Sequence, residues 1–449
     1  MRTSSLWSQT LVFPTIWSTI AFIVSFISPA GRLLTWSPVQ GLGAYQWMLP
    51  TVGTIGIDWV MAAWALVCSQ VAEAWLMGDE SIEDDGLLLA PDAPARLRVK
   101  PHPTRQASII LSAILVTLAL PSLLLNELPL PTPYPTSTPL SVGCVIPSFE
   151  RYKHHVPTLD DYISESQRLT NSARVLLWPE SAVQFSSEEE RDQAFAKVRT
   201  EVTGSYVGVS FEEAYTLPGE KRSSKRTGVA LISKASPEPH MMYYKRHLVP
   251  IAESFSLTHS TVPPSIYTID LTHPKEVNKT DWAPAPNYTR PIPVTASICL
   301  DFAAPLPFSD LNSRPALILA PARTWHLSIG FAMWQQAKRR AEELGSTLLW
   351  CDGGAGGVSG IAGQGYDQVI QVGPGSWIQN IEIQYPFDDR RTTFAYLGWF
   401  IVSLLWFATL ADSVEFVYLP FVGSFAAGRR VLDRVVPQNQ AQQNPNLLD

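Results

Sequence analysis

Residues 295–302 read TASICLDF and place the cysteine Cys299 in a run of small and apolar residues. Two charged residues stand in equally distinctive settings nearer the N-terminus, Glu180 in the sequence WPESA and Lys245 in YKRHLVPIAE. A carboxylate, an ammonium and a thiol are the groups that acyl transfer through a thioester needs. The carboxylate takes the thiol proton, the thiolate attacks the carbonyl, and the ammonium stabilises the oxyanion. The three residues therefore predict an enzyme.

Long uncharged stretches flank the part of the chain that holds these residues. Residues 107–125 (ASIILSAILVTLALPSLLL) and 394–411 (FAYLGWFIVSLLWFATLA) carry no charge, and neither does the stretch between Arg2 and Arg32. About 18–20 apolar helical residues cross a hydrocarbon core of about 30 Å. We interpret the stretches as membrane spans, although a helix buried in a large domain can be equally apolar. Aromatic residues typical of membrane interfaces lie near their ends: Trp7, Trp17, Tyr396 and Trp399.

A fourth apolar segment, residues 53–77, contains the ionisable residues Asp58 and Glu73. Such groups in a span usually face other helices rather than lipid. We interpret this segment as a further span, with an amphipathic helix lying in the membrane interface as the alternative. The first apolar stretch follows a single charged side chain, Arg2, and lacks a small-residue cleavage site. An uncleaved anchor is therefore expected rather than a signal peptide.

Strand and helix patterns alternate between the third and the last apolar stretch. Residues 174–178 and 294–299 are predicted strands, and residues 186–202 and 328–344 are predicted helices. This alternation predicts a layered α/β domain whose reactive residues lie at strand ends. The expected organisation is an N-terminal membrane region with about three transmembrane helices (1–128), a Pro-rich connector (129–139), a catalytic domain (140–388), a C-terminal transmembrane helix (392–420) and a polar tail (421–449).

The charge balance and the cysteines exclude some classes of partner. The net charge is −7 and the basic residues form no stripe, so no nucleic-acid partner is expected. The four cysteines lack the spacing of a zinc site, and neither a metal nor a cofactor is predicted. Cys68 falls in the second span and is expected to pack there. Cys144 and Cys351 are compatible with buried core residues or with a disulfide.

Basic residues near the spans indicate an orientation. One group precedes the third span and another follows the last: Arg96, Arg98, Lys100 and Arg105, then Arg429, Arg430 and Arg434. Such residues usually face the cytosol, which predicts a multi-pass integral membrane protein with an exoplasmic (periplasmic or luminal) catalytic domain and a cytosolic C-terminal tail. Arg390 and Arg391 argue the other way. Two sequons, at Asn278 and Asn287, suit an exoplasmic glycoprotein in a eukaryote.

The sequence motifs together resemble those of the carbon–nitrogen hydrolase (nitrilase) superfamily, and within it the apolipoprotein N-acyltransferase branch. WPESA, KRHLVP and SIC, which hold Glu180, Lys245 and Cys299, are similar to that branch's first, second and nucleophile motifs. Residues 334–345 and 353–361 resemble the helix and the glycine-containing turn that follow the nucleophile. The resemblance implies a nitrilase-like four-layer α-β-β-α sandwich with flanking transmembrane helices.

The resemblance also implies roles for the site residues and extends over most of residues 50–412. Glu180 is expected to be the general base, Lys245 the oxyanion stabiliser and Cys299 the nucleophile. Glu253 is a candidate for orienting Lys245 or the substrate. Two further candidates follow from position. Trp325, after a strand, is a candidate for lining an acyl pocket, with packing as the alternative, and Glu343 is a candidate for supporting the site, with a helix-surface position as the alternative.

The chain departs from the branch's pattern in three respects. Leu300 and Asp301 stand where the branch has an aromatic residue and Glu, and Ala252 stands where it has Gly. The expected spans before the catalytic domain are also fewer. These departures concern the acceptor and the lipid-docking surface more than the chemistry.

The function expected from these observations is that of an integral membrane N-acyltransferase. It would move an acyl chain from a membrane phospholipid through a Cys299 thioester to an amine, which the resemblance implies is the N-terminus of a lipoprotein. The alternative is a membrane-tethered nitrilase-type amidase that hydrolyses a C–N bond, and a third reading is an inactive scaffold. The acceptor, the acyl length, the membrane and the oligomeric state are left open.

Overall fold

The chain forms two β-sheets with associated helices, together with a set of long apolar helices. The computed structural model describes residues 6–34, 43–77, 103–125, 135–147, 156–216, 223–274 and 277–411. The predicted polar tail, most of the basic residues used for orientation and the first part of the predicted connector lie outside these residues. The predicted mixed α/β fold class is confirmed.

The first sheet contains the strands that lead to Glu180 and Lys245. Its strands are β1 (Ser137–Cys144), β2 (Val175–Leu177), β3 (Val183–Phe185), β4 (Tyr206–Tyr215), β5 (Ser224–Ile232), β6 (Met241–Tyr244) and β13 (Trp377–Gln384). They lie in the order β13-β1-β2-β4-β5-β6, with β3 paired to β4. Strands β1, β2 and β4 are parallel, whereas β13, β5 and β6 pair antiparallel with their neighbours.

The second sheet contains the strand that leads to Cys299. Its strands are β7 (Tyr267–Thr272), β8 (Thr289–Ala296), β9 (Leu317–Ala322), β10 (Thr347–Asp352), β11 (Val358–Gly363) and β12 (Tyr366–Val372). They lie in chain order from β12 to β7, and the central strands β8, β9 and β10 are parallel. Carboxyl ends of parallel strands meet at one edge of a sheet, so the segments after β8, β9 and β10 lie side by side.

One buried core joins the two sheets. It contains Val142 and Leu177 from the first sheet and Ile318 and Leu349 from the second. A disulfide between Cys144 and Cys351 links β1 to β10 across this core. The sequence left open whether these two cysteines are free core residues or a disulfide, and the structure shows the disulfide. Strands buried on both faces explain the near-continuous apolar runs in the sequence.

Helices pack against the two sheets. These helices are α4 (Leu159–Leu169), α5 (Glu188–Glu201), α6 (Lys279–Trp282) and α7 (Leu327–Leu344). Helices α4 and α5 share a second core with the first sheet, and α7 packs against β10 and β11. The Ser187 hydroxyl accepts a hydrogen bond from the N–H of Glu190 at the start of α5, and α7 ends at Gly345 with φ of 66°. The helices predicted at 186–202 and 328–344 are confirmed.

The long apolar helices are α1 (Leu6–Ile27), α2 (Leu49–Met77), α3 (Pro103–Ala119), and the pair α8 (Thr393–Leu397) and α9 (Ile401–Leu410). In the described part of the chain, four segments are long and apolar enough to cross a bilayer. Helix α2 is interrupted at Gly53, where φ is 59° and ψ is −166°. A Cβ at Gly53 would lie 2.2 Å from the ring of Phe394, so the break lets α8 approach α2 closely.

The predicted connector at 129–139 extends too far at its C-terminal end. Strand β1 begins at Ser137, so the last residues of that range belong to the first sheet. Pro139 is tolerated because β1 pairs only with β13 at this point, whereas its pairing with β2 begins at Val142. A proline fits a strand where no second neighbour needs its missing N–H.

Candidate active site

Cys299 begins a tight turn rather than ending a strand. Strand β8 stops at Ala296, and residues Cys299–Ala303 form a 3₁₀ turn, hereafter the nucleophile turn. The prediction that 294–299 is a strand was therefore wrong in its last residues. Cys299 has φ of 42°, a left-handed backbone conformation that is unfavourable for any residue with a Cβ. Strain of this kind is common where a reactive group is held in position.

Asp301 ties the nucleophile turn to the end of β6. One carboxylate oxygen accepts hydrogen bonds from the N–H of Ile298 at 3.2 Å and from the Tyr243 hydroxyl at 2.8 Å. The other accepts from the N–H of His247 at 2.7 Å. Because Tyr243 and His247 flank Lys245 in the chain, the carboxylate holds the two reactive segments together. The sequence had singled out Asp301 only as a departure from a motif, and its charge within an apolar stretch was the missed signal.

Lys245 follows β6 and lies in the interior, with 1% of its surface exposed. Its N–H donates to the carbonyl oxygen of Thr227, which continues the pairing with β5. The ammonium Nζ lies 2.6 Å from Oε1 of Glu180 and 2.8 Å from Oε1 of Glu253. A buried ammonium stays charged only where such partners compensate for lost hydration.

Glu180 lies in the segment that follows β2 and contacts Lys245. Its N–H donates to the carbonyl oxygen of Ala322 at 3.3 Å, so the first sheet contacts the end of β9 in the second. The side chain is 4% exposed, and the Cys299 thiol lies close enough to oppose the rise of its pKa. The structure therefore brings Glu180, Lys245 and Cys299, the three residues singled out from the sequence motifs, into one buried group.

Burial and neighbouring charges set the protonation of this group. Burial raises the pKa of Glu180, and the nearby ammonium of Lys245 opposes the rise. Burial alone would lower the pKa of Lys245, but the charges of Glu180, Cys299 and Glu253 raise it above its ordinary value. Burial and the Glu180 carboxylate raise the pKa of the Cys299 thiol well above its ordinary value. At neutral pH the thiol therefore keeps its proton beside the Lys245 ammonium.

A backbone N–H from the second sheet also affects the thiol. The N–H of Arg323, directly after β9, opposes the rise in the pKa of Cys299. This segment is held by the buried Asp352, whose carboxylate accepts from the N–H of Thr324 at 2.9 Å and from its hydroxyl at 2.6 Å. The ends of β8, β9 and β10 thus each supply a part of the site.

The remaining predicted site residues lie in three different settings. Glu253 contacts Lys245, and its second oxygen accepts from the N–H of Val249 at 2.8 Å. Trp325 is 62% exposed, two residues beyond Arg323. Glu343 contacts Arg340 and the N–H of Thr54 rather than the group around Cys299, so it faces the apolar helices. The periodicity of α7 could not show which neighbour this face meets.

A cavity of about 1150 Å³ adjoins the group on the Glu180 side. Its lining includes Glu180, Ser181 and Arg323, together with Tyr162 and Phe185, and it includes neither Lys245 nor Cys299. Substrate entering here would meet the carboxylate first. Within the described ranges, no cluster of His, Cys, Asp and Glu could hold a metal ion.

Comparison with known proteins found similarity among solved structures. No family model and no curated protein match the sequence. An amidase from Nesterenkonia sp. AN1, with covalent addition of an acetamide moiety at its active-site cysteine, is 17% identical with a TM-score of 0.35, covering 56% of this chain and 92% of its own. Saccharomyces cerevisiae Nit3, a member of branch 10 of the nitrilase superfamily, is 11% identical with a TM-score of 0.37, covering 63% and 97%. The C. elegans NitFhit protein is 13% identical with a TM-score of 0.36, covering 55% and 61%. At such distances, activity has to be inferred from the site itself.

Proposed function

We propose that this chain is a cysteine-dependent enzyme that forms a thioester on Cys299. One observation carries the proposal: the Lys245 ammonium lies 2.6 Å from the Glu180 carboxylate, and the buried Cys299 thiol is close enough to both that their charges shift its pKa. A thiol, a base and a fixed cation are thereby buried together. This is the arrangement expected of an activated nucleophile.

The chemistry follows from these contacts. Glu180 takes the thiol proton as the sulfur attacks the substrate carbonyl, and an S–C bond forms. The developing oxyanion is stabilised by the Lys245 ammonium and by the N–H of Arg323, both of which favour negative charge at Cys299. As the tetrahedral intermediate collapses, the leaving group departs with the proton held by Glu180. Glu253 keeps Lys245 charged and in place.

The second half-reaction releases the acyl group to an acceptor. Glu180, again a carboxylate, takes a proton from the incoming nucleophile, which attacks the thioester carbonyl. Cys299 leaves with a proton returned through Glu180. An amine acceptor yields an amide, whereas water yields a free acid.

We further propose that the donor is a phospholipid and the acceptor an amine, such as the N-terminus of a lipoprotein. Two features support a lipid donor. Four long apolar helices belong to the same chain. The turn that supplies Glu253 exposes two large apolar side chains, Ile251 at 79% and Phe255 at 86%. The overall arrangement proposed is a nitrilase-like four-layer sandwich with flanking transmembrane helices.

An exoplasmic site is part of the same proposal. The Cys144–Cys351 disulfide suits an oxidising compartment, since such bonds rarely persist in a reducing cytosol. The sequon residues Asn278 and Asn287 are both exposed. Both features support a periplasmic or luminal catalytic domain.

Mass spectrometry tests the proposal directly. The purified full chain is incubated with a phospholipid whose acyl chains are isotopically labelled, and a labelled adduct is expected on Cys299 but not in Cys299→Ala. Adding a peptide amine should then discharge the adduct into an amide. Loss of the adduct as free acid, or turnover of small amides without lipid, would instead support the alternative of a membrane-tethered amidase. Absence of any adduct with both substrate types would refute thioester chemistry.

A further inference from the structure

The nucleophile turn is in direct contact with the apolar N-terminal helices. Gly31, in the segment after α1, has φ of 54° and lies against the end of this turn. A Cβ added at Gly31 would be 2.1 Å from the carbonyl oxygen of Ala303 and 2.7 Å from its carbonyl carbon. Only a residue without a side chain fits this backbone-to-backbone approach.

The segment around Gly31 is itself fixed to the next helix. Arg32 donates to a carboxylate oxygen of Asp58 in α2 at 2.6 Å, and both side chains are buried. The hydroxyl of Ser18 in α1 donates to the carbonyl oxygen of Ile55 at 2.9 Å. The contact of Gly31 with the nucleophile turn therefore depends on how α1 and α2 pack.

A second connection reaches the same turn through α7. Arg340 is buried and donates to the carbonyl oxygens of Phe302 and Ala304, at 3.2 and 2.7 Å. Its guanidinium also donates to Oε2 of Glu343 at 2.5 Å. The other oxygen of Glu343 accepts from the N–H of Thr54 at 2.9 Å, next to the break in α2 at Gly53.

The last apolar segment joins this connection. The hydroxyl of Thr392, which caps α8, donates to the carbonyl oxygen of Glu343 at 2.6 Å. The turn that begins with Cys299 is thus held at its far end by α7 and by the segment after α1. Both supports end in the apolar helices.

We infer that the apolar helices are a working part of the catalytic centre, and that Gly31 and Glu343 are positioning residues which hold Cys299 within reach of Glu180. The inference rests on the proposed function in one respect, the role of Cys299 as nucleophile. It goes beyond it by assigning these helices a role other than anchoring. It also gives Glu343 a role through Arg340 rather than in the site itself.

The test measures how acylation of Cys299 depends on pH. Full-length protein in detergent, in a Cys68→Ala background, is acylated with p-nitrophenyl octanoate, and the burst of p-nitrophenolate is recorded from pH 6 to 9. When Glu180 takes the thiol proton inside the site, the rate levels off once Glu180 is ionised. A thiol displaced from Glu180 has to lose its proton to solvent, so its rate rises up to tenfold per pH unit.

The variants separate the outcomes. Gly31→Ala is expected to lower the acylation rate at pH 7 at least tenfold and to replace the plateau by a rising profile. Glu343→Gln should also lower the acylation rate at pH 7 and give a rising pH profile. Its amide is the same size as the carboxylate but directs an N–H donor at one of two donors, Arg340 or the N–H of Thr54. Gly43→Ala is the matched control, since a Cβ there meets no atom within 4 Å, and it should behave like the parent.

Each result bears on one proposal. A parental rate and profile in both Gly31→Ala and Glu343→Gln would overturn the inference. Should Gly31→Ala fail to fold, as judged by thermal unfolding, Glu343→Gln decides alone. If Glu180→Gln keeps the parent's plateau, or the parent acquires no octanoyl group on Cys299, the proposed function fails instead.

Discussion

At the scale of single residues, the site is governed by an imbalance of charge. Two carboxylates, Glu180 and Glu253, share one ammonium, that of Lys245. Ionising Cys299 as well would add another negative charge to a buried place, which is one reason why its pKa is raised. In the proposed mechanism the thiol therefore keeps its proton until the sulfur attacks a substrate carbonyl.

Replacing Lys245 alone should lower the free energy of unfolding more than replacing Lys245 and Glu180 together. Lys245→Met leaves two carboxylates without their cation, and breaking a buried ion pair costs about 3–5 kcal/mol of unfolding free energy. Glu180→Gln combined with Lys245→Met should recover part of this loss, because the buried charge is also removed. Denaturant unfolding of the single and double variants measures the difference, and additive losses would contradict this account.

The raised pKa of Cys299 also predicts how stability depends on pH. Folded protein keeps the thiol proton at pH values where the unfolded chain, with a thiol pKa of about 8.5, has lost it. This contribution is complete below the unfolded pKa and is lost as pH rises above it, by up to about 1.4 kcal/mol per pH unit. Between pH 7 and 9.5 the midpoint temperature of thermal unfolding should therefore fall more steeply with pH for the parent than for Cys299→Ala. Equal slopes would show that the thiol titrates alike in both states.

At the scale of elements, short polar connections fix the relation between strands. Asp301 joins the nucleophile turn to the segment after β6, and its oxygens accept from Ile298, Tyr243 and His247. The carboxylate is buried, so each lost acceptor leaves an N–H or O–H without a partner. Such groups are costly in the interior.

Asp301→Asn is expected to lower the free energy of unfolding by about 1–3 kcal/mol, because the NH₂ group of the amide would face the N–H and O–H groups that donate to the carboxylate. It should also slow acylation of Cys299 about tenfold. Asp310→Asn is the matched control: Asp310 is half exposed and lies 3.6 Å from Arg246, so its loss should change stability by no more than about 0.5 kcal/mol. Chemical unfolding and the acylation burst measure both effects, and similar values for the two variants would refute the assignment.

Sequence patterns predicted some elements well and others poorly, for physical reasons. Helices α5 and α7 were predictable because periodicity and capping residues are local properties. The strand predicted at 294–299 runs three residues past the end of β8, as far as the first residue of the nucleophile turn, because no charged residue interrupts that stretch. Asp301, and the position of Glu343 against α2, depend on contacts between distant parts of the chain. No local pattern reports such contacts.

At the scale of the whole molecule, the two sheets are joined both covalently and through the site. The Cys144–Cys351 disulfide connects β1 to β10, and both sulfurs are buried. Beyond these strands, Glu180 from the first sheet meets Cys299 from the second. The relative position of the sheets therefore sets the distance between the Glu180 carboxylate and the Cys299 thiol.

Counting thiols tests this arrangement and the proposed compartment together. Full-length protein denatured without reductant should react with maleimide-linked polyethylene glycol at two sites, Cys68 and Cys299. After reduction all four cysteines should react. Gel mobility reports the number of adducts. Four adducts without reductant, from protein isolated from its native cells, would contradict both the disulfide and the proposed exoplasmic domain.

The order of the cysteines along the chain allows a non-native disulfide to form during biosynthesis. Cys351, the partner of Cys144, emerges from the ribosome after Cys299, so for some seconds Cys299 is available to pair with Cys144. A bond between these two would block the Cys299 thiol, and with it the proposed activity, before synthesis is complete. We expect Cys351→Ala to accumulate that wrong bridge, detectable by non-reducing peptide mapping, and finding both thiols free would contradict this. Maturation of the nascent protein would then depend on an isomerase that reopens mistaken pairs.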